Sequence, residues 1–230
     1  MKKLNQLLLV LLVMMPASLA AHSYELDGIY YLLSGNRAIV TYRGSAYYDY
    51  YDEYSGDVVI PESFVMGGTT YTVTAIGNDA FESCSTLNSV TIPSSVTAIG
   101  EYAFCNCSGL TSVILPNSIT SIGKSAFRGC SSLTSMHIPG SVTSIGQEAF
   151  AFCSGMANLT VANDNSKYDS RDNCNAIIET SSNKIISGCK TTVIPTTVTS
   201  IGEYAFCGCR SLTTLDIPSS VTTIKSVAFA

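Results

Sequence analysis

Apolar residues recur at a fixed interval of 23 positions along most of the chain. From residue 76 onward, isoleucine, phenylalanine and cysteine each form a column with this spacing, interrupted once between residues 145 and 201. The columns are Ile76, Ile99, Ile122, Ile145, Ile201 and Ile224; Phe81, Phe104, Phe127, Phe150, Phe206 and Phe229; and Cys84, Cys107, Cys130, Cys153 and Cys209. A period of about 20–29 residues is typical of a solenoid whose stacked units bury one another's apolar residues.

Each unit contains two segments with different patterns. One reads Leu-x-x-Val-x-Ile and ends before a proline, as at residues 87–93. It predicts one short strand with one face inward, closed by a residue that has no backbone N–H to donate. The other reads Gly-x-x-Ala-Phe-x-x-Cys, and its apolar spacing predicts a short helical turn on the opposite side. We therefore expect a repeat solenoid of 23-residue units, each with one short strand and one short helical turn.

The interruption predicts an insertion or hairpin at about residues 162–190. Counting back 23 positions from Ile201 places Ile178 in the isoleucine column, so residues 178–200 fit a degenerate unit preceded by an insertion within 162–177. A hairpin is the second interpretation, because residues 176–178 and 184–186 are rich in isoleucine and flank a polar turn. Both interpretations hold if the hairpin protrudes from the stack.

The repeated motif resembles a known family, the BspA-like leucine-rich repeats of bacterial surface proteins, best known from Bacteroidetes. The resemblance is carried by IPSSVTAIGEYAFCNCSGLTSV and its siblings, by the insertion NDNSKYDSRDNCNAIIETSSNKIISGCKTTVIP, and by a leader that runs from ELDGIYYLL to GDVVIPESF. It implies a leucine-rich repeat fold over essentially the whole mature chain. It also implies a secreted or cell-surface protein, adhesion to host matrix proteins or other cells for some members, and no single catalytic activity.

The first 20 residues have the pattern of a secretory signal peptide. A short basic start precedes an apolar run from Leu4 to Met15, and small residues at 17–20 provide a cleavage site after Ala20. A membrane anchor is the alternative, although the run is shorter than the ~20 residues that a bilayer span takes. We expect an exported chain, secreted or at the cell surface, with no membrane insertion after signal cleavage.

Residues 21–72 lack the 23-residue period and predict a β-rich N-terminal cap, followed by the solenoid at 73–230. Strands are predicted at 29–33, 38–42, 57–60 and 70–74. A cap would cover the first apolar layer of the stack, and an adhesive loop is the alternative for the tyrosine-rich stretch AYYDYYDEY at 46–54. At the other end, Ala230 stands where a unit would continue, which fits either a fragment or a last partial unit that serves as a cap.

The composition of the chain excludes some classes of partner and of activity. Charged residues make up 13% of the chain, the net charge is −5 and the pI is about 4.9. We expect no nucleic-acid partner, because such surfaces need clustered basic residues. His22 and His137 lie far apart in the repeat register, so we predict no catalytic triad, no zinc site, no cofactor and no enzyme activity. The Asp and Asn residues at 163–173 suit calcium by ligand type, but their spacing differs from that of an EF-hand.

The nine cysteines suggest three different environments. The cysteine column predicts buried free thiols, because equivalent side chains in adjacent coils run parallel at ~4.8 Å, farther apart than a disulfide requires. Cys105 and Cys207 share a column with charged residues and are expected to face solvent. Cys174 and Cys189 would oppose each other across the hairpin and are the candidate disulfide, an arrangement that competes with a place for Cys189 in the leucine column.

The outward positions of the predicted strands form the candidate binding surface. One column is Thr91, Ile114, His137, Thr160 and Asp216, and its neighbour is Ser89, Ser112, Ser135, Asn158 and Thr214. If the strands line the concave side, these residues make a shallow, weakly charged face for an extracellular protein or glycan. We expect a secreted or cell-surface interaction protein that binds a host or neighbouring-cell partner there. The alternative is a structural spacer or stalk segment of a larger surface protein.

Overall fold

The computed structural model describes residues 23–44 and 52–230. The predicted signal peptide at 1–20 and residues 46–51 of the tyrosine-rich stretch lie outside the described residues. The described chain is built from short strands joined by turns, and its only helical element is a 3-10 turn at Arg171–Asn173.

The N-terminal segment is β-rich and continues directly into the repeats. Its strands are β1 (Tyr24–Leu26), β2 (Ile29–Ser34), β3 (Arg37–Thr41), β4 (Gly56–Val59), β5 (Ser63–Met66) and β6 (Thr69–Ile76). β1, β2 and β3 form an antiparallel meander, β3 pairs in parallel with β6, and β5 forms an antiparallel pair with β6. Four of these strands overlap the four that the sequence predicts in this segment.

Aromatic side chains of this segment cover the first repeat unit. The buried ring of Tyr54 lies against Phe81, with 4.5 Å between ring centroids. The Tyr54 hydroxyl accepts a hydrogen bond from the backbone N–H of Tyr30 at 3.1 Å and donates one to the carbonyl of Thr41 at 2.7 Å. The first apolar layer is therefore closed by a ring whose polar group is also satisfied.

Each regular unit contributes two short strands rather than the single strand predicted. The Leu-x-x-Val-x-Ile strands are β7 (Leu87–Thr91), β9 (Ser112–Ile114), β11 (Ser135–Ile138) and β13 (Asn158–Val161). The second set contains the isoleucine column and comprises β8 (Ala98–Ile99), β10 (Ser121–Ile122) and β12 (Ser144–Ile145), with β17 (Ser200–Ile201) and β18 (Thr223–Ile224) after the interruption. Paired strands within each set are parallel and in register with the repeat, as for Ile122 and Ile145.

The Gly-x-x-Ala-Phe-x-x-Cys segment forms successive turns, so the predicted helical turn is wrong. Tyr102 and Asn106 have φ values of 55° and 59°, which lie outside the right-handed helical region. Alternate N–H groups of the segment donate to the next unit, as from Phe104 to the carbonyl of Ala126 at 2.7 Å. The apolar residues face inward in this coil as they would in a helix, so their spacing alone did not distinguish the two.

The inward columns form a continuous core through the regular units. Phenylalanine rings stack in parallel with 4.9–5.7 Å between neighbouring centroids, in the order Phe81, Phe104, Phe127 and Phe150. Thiols of the cysteine column donate to the phenylalanine carbonyl one unit back, as from Cys107 to Phe81 at 2.9 Å. The column consists of free thiols, as predicted, and burial raises the pKa of the Cys153 thiol to about 12.

Cys105 and Cys207 are buried, contrary to the expectation that they face solvent; each is 3% exposed. Cys105 is covered by long side chains from the two adjacent units, Glu82 on one side and Arg128 on the other. The Arg128 guanidinium in turn lies 4.5 Å from the ring centroid of Phe152. A column that contains charged residues can therefore still bury its small members, because the long side chains extend over them.

The interruption forms a hairpin that joins the stack. Its strands are β14 (Tyr168–Asp169), β15 (Ala176–Glu179) and β16 (Lys184–Gly188), each antiparallel to the next. β16 also pairs in parallel with β17, which sets Ile185 opposite Ile201. Ile185 therefore occupies the isoleucine column, and the register that placed Ile178 there is wrong.

The predicted pairing of Cys174 with Cys189 is not formed, and both thiols are free. A β-bulge at Ile186 in β16 shifts the hairpin register so that Ala176 pairs with Gly188. Cys189 then faces Asn175, and its thiol donates to the Asn175 carbonyl at 3.3 Å. The cross-strand arrangement assumed a hairpin without the bulge.

Candidate functional site

The two predicted outward columns lie side by side along the strands of the first set. The pairs that the register places opposite each other are Ser89 and Ser112, Thr91 and Ile114, Ser135 and Asn158, and His137 and Thr160. Thr214 and Asp216 are exposed at the equivalent positions after the interruption, on a segment without regular strand. We call the surface formed by these ten residues the ladder face.

The ladder face extends into the N-terminal segment, beyond the residues that the 23-residue period predicts for it. β4 pairs in parallel with β7, and this register places Asp57 opposite Ser89 and Val59 opposite Thr91. The dipeptide at 60–61 is Ile-Pro, the same pair that ends the strands of the repeats. The strand itself is predicted at 57–60, and that dipeptide was the signal by which its place on the ladder face could have been found.

The interrupted unit supplies two further members of the same columns. Thr191 and Val193 precede Pro195 by four and two residues, the offsets by which the ladder residues precede each strand-ending proline. Both are exposed, whereas Thr192 and Ile194 on either side of Val193 are buried. The alternation of the regular strands therefore persists here without regular strand pairing, and Ile194-Pro195 is again its sequence signal.

Exposed aliphatic residues recur along one column of the ladder face. Val59 is 67% exposed, Ile114 82% and Val193 70%. Small polar residues surround them, so the surface combines apolar contact area with many hydroxyl groups. Apolar side chains this exposed contribute little to the core, so the column leaves apolar area open to solvent.

Two side-chain hydrogen bonds join neighbouring polar groups along the ladder face, Ser89 to Asp57 and His137 to Thr160. The Asp57 carboxylate accepts from the Ser89 hydroxyl at 2.6 Å and from the Asn88 amide at 2.8 Å, and these bonds hold its pKa below the usual value. The imidazole Nδ1 of His137 lies 3.0 Å from the hydroxyl of Thr160. The face is thus pre-arranged and weakly charged.

The arrangement around His137 differs from that of a catalytic histidine. Its partner is a threonine hydroxyl, whereas a catalytic histidine requires a positioned nucleophile and an orienting carboxylate. Within the described ranges, no three His, Cys, Asp or Glu side chains converge as a metal site would require. Two of the Asp and Asn residues at 163–173 engage protein groups: Asn165 donates to the Pro139 carbonyl at 2.8 Å, and Asp169 forms an ion pair with Arg171 at 2.6 Å.

None of the helical structure in the described chain has the length and hydrophobicity that a bilayer crossing requires. The architecture instead consists of stacked coils with a 23-residue period and inward columns of Ile, Phe, Cys and Leu. Together with the parallel strands, these features define a leucine-rich repeat solenoid.

The repeat places the chain in a family. The model of the BspA type leucine rich repeat region matches residues 68–177 and 177–230, in six copies. The chain belongs to this family, which confirms the resemblance of its repeats. No curated protein matches the sequence.

Solved structures share the fold. A leucine-rich repeat protein from Bacteroides ovatus is 25% identical with a TM-score of 0.57, and the match covers 88% of this chain and 55% of that one. One from Eubacterium ventriosum is 22% identical with a TM-score of 0.58, covering 86% and 60%. The pneumococcal vaccine antigen PcpA is 17% identical with a TM-score of 0.61, covering 90% and 67%. This chain thus spans little more than half the length of the first two.

Proposed function

We propose that this protein is a secreted or cell-surface interaction protein that binds an extracellular protein or glycan through the ladder face. The observation that carries the proposal is the column of exposed aliphatic residues at Val59, Ile114 and Val193. These side chains are set among hydroxyl groups on paired strands, so a partner would find apolar contact area and hydrogen-bonding groups on one rigid surface.

Three further observations support this function. Membership of the BspA-type family is in keeping with the surface location that the resemblance implies. The signal-peptide pattern at residues 1–20 supports export. The ladder face lacks the nucleophile, base and orienting acid of a hydrolytic site, and we therefore propose a role in binding rather than in catalysis.

The test is a binding screen with a charge-matched control. Purified protein is applied to immobilised matrix proteins, mucins and a glycan array, beside the variant Ile114→Arg/Val193→Arg. Both substitutions are at exposed positions and should leave the fold intact. We expect the variant to lose about tenfold or more in affinity, as for the central contacts of an interface.

The matched control is Ser108→Arg/Ser131→Arg, which adds the same charge at exposed serines outside the ladder face. It should bind as the wild type does. Equal loss in both double variants would show that added charge alone disturbs binding and would remove the ladder face as the site. Absence of binding by the wild type would favour the structural spacer instead.

A further inference from the structure

A cleft of about 510 Å³ lies where the hairpin takes the place of a regular unit. One wall is the turn segment 145–150, and the others are β16 together with Gly202, Glu203 and Lys225. The Gln147 amide donates to the Glu203 carboxylate at 2.9 Å from one wall to the other. Both of these residues are exposed, so the cleft opens to solvent.

The cleft exists because the coil at β16 is two residues shorter than a regular one. From Ile99 to Phe104 the regular chain takes five steps between the isoleucine and phenylalanine columns. From Ile185 it reaches the phenylalanine position at Gly188 in three steps. The Gly188 N–H donates to the Ala205 carbonyl at 2.7 Å, as a column phenylalanine of a regular unit does to the alanine of the next, for example Phe104 to Ala126. The absent residues are those that would lie against segment 145–150.

That segment therefore carries backbone groups that lack a protein partner. One unit earlier, the N–H groups of Ser125 and Phe127 donate to carbonyls of the next coil at 2.9 and 2.8 Å. The equivalent N–H groups of Glu148 and Phe150 have no acceptor within residues 23–44 and 52–230. Both residues line the cleft and are two positions apart, the interval at which the carbonyl groups of an extended peptide point the same way.

The charges of the cleft are only partly neutralised by the protein. Glu148, Glu179 and Lys184 already take part in ion pairs. Glu203 and Lys225 form none with any residue that the structure describes. One carboxylate and one ammonium group therefore remain for a ligand that carries both signs of charge.

We propose that this cleft binds a short extended peptide segment with one basic and one acidic side chain. The peptide carbonyls accept from the N–H groups of Glu148 and Phe150, its basic side chain pairs with Glu203, and its acidic side chain pairs with Lys225. The peptide thereby supplies the main-chain groups of the two residues that the hairpin coil lacks. This is recognition by strand addition, in which a peptide pairs with unpaired backbone groups of the protein. The cleft shares no residue with the ladder face, so the two proposals are independent.

The test uses the full chain and an array of tetrapeptides Ac-Ala-X-Z-Ala-NH2, with X and Z drawn from Lys, Glu, Gln and Leu. Peptides with one Lys and one Glu should bind about tenfold more tightly than those with only Gln or Leu, as expected for two exposed but complementary pairs. Glu203→Gln should abolish the preference for Lys, and Lys225→Met the preference for Glu. Glu101→Gln, at the same position of a regular unit, should change neither.

Occlusion of the cleft provides a second readout. Gln147→Trp places a bulky ring at the exposed rim and should weaken peptide binding about tenfold, whereas Lys124→Trp, one unit earlier in the same column and outside the cleft, should leave it within about twofold. The ladder-face variant Ile114→Arg/Val193→Arg should bind the peptides normally. Three outcomes would each overturn the proposal. The two Trp variants could lose peptide binding equally, the wild type could bind no peptide, or the cleft could bind a glycan at Gln147 and no peptide.

Discussion

At the scale of single residues, the cysteines of the column from Cys107 onward both fill space and donate to a backbone carbonyl. The Cys130 thiol is buried between neighbouring coils and donates to the Phe104 carbonyl at 3.1 Å. Valine would fill the position but leave that carbonyl without its thiol donor, while serine would donate but remove apolar volume. The preference for cysteine in this column therefore follows from packing and hydrogen bonding together, with no need for a disulfide.

Glu82 makes the folded protein sensitive to pH. Burial, together with the nearby charge of Asp79, raises the pKa of Glu82 to about 7. Because this folded-state value is above the ordinary 4.5, the folded state binds the proton more tightly, and stability is lost as the pH rises through about 7. Glu82→Gln should raise the free energy of unfolding at pH 8 by about 1 kcal/mol, a figure reduced for solvent screening of a half-exposed group.

Urea denaturation of wild type and Glu82→Gln at pH 4 and pH 8 checks this prediction. The two proteins should coincide at pH 4, where the carboxyl group is protonated in both states. Glu25→Gln, at an exposed position of β1, is the control and should match the wild type at both pH values. A Glu82→Gln variant less stable than the wild type at pH 8 would contradict the assignment.

At the scale of elements, the shortened coil depends on the absence of a side chain at Gly188. A Cβ there would lie 2.2 Å from Cε1 of Phe206, which is closer than two non-bonded carbon atoms can approach. Gly188→Ala should therefore lower the free energy of unfolding by about 1–3 kcal/mol, the usual cost of overpacking. Thermal or urea denaturation measures it.

A double-mutant cycle separates this clash from a backbone effect. Phe206→Leu removes the ring atoms that the new Cβ would meet, so Gly188→Ala should cost clearly less in that background. If Gly188→Ala costs the same in the wild type and in the Phe206→Leu variant, the ring contact is not its cause.

The 23-residue period was sufficient to predict the features that depend on the residues of a single column. The solenoid, the strands ending at Ile-Pro and the thiol column all follow from positions 23 apart. The turns at Tyr102 and Asn106 do not follow from the period. A helix and this series of turns have the same spacing of apolar residues, and a left-handed backbone conformation does not change that spacing. The environment of Cys105 includes Arg128 from another unit, and the place of Ile185 is set by its pairing with Ile201, so neither is visible in local sequence.

The candidate site was predicted only in part for the same reason. Eight of the ten ladder residues fall on paired strands as the period requires. Asp57 and Val59 were missed because their strand lies outside the 23-residue register and joins the face only through its pairing with β7. The cleft could not be anticipated at all, since it arises from two residues that the hairpin lacks.

At the scale of the whole molecule, the ladder face is large and nearly neutral although the chain is acidic. Along its columns, including the N-terminal extension and Val193, the acidic side chains are Asp57 and Asp216. Binding through this face should therefore depend little on ionic strength: raising NaCl from about 50 to 500 mM should change the affinity by less than about threefold.

The measurement is a salt titration of whichever partner the binding screen identifies. Peptide binding to the cleft is the internal comparison, because it relies on ion pairs with Glu203 and Lys225 and should weaken over the same salt range. A steep loss of affinity at the ladder face would indicate recognition by charge and would contradict the neutral contact surface.

The break in the stack also has a mechanical consequence. Regular coils are joined side by side by parallel ladder bonds, whereas β12 and the hairpin sheet share no ladder within the described residues. Contacts across the joint include the Tyr168 hydroxyl with the Ile145 N–H at 3.1 Å and the Phe152 N–H with the Cys207 carbonyl at 2.8 Å. Tension along the stack would load these few bonds first. A surface protein pulled by flow or by an attached cell would therefore open at this joint, while the repeat units on either side stayed folded.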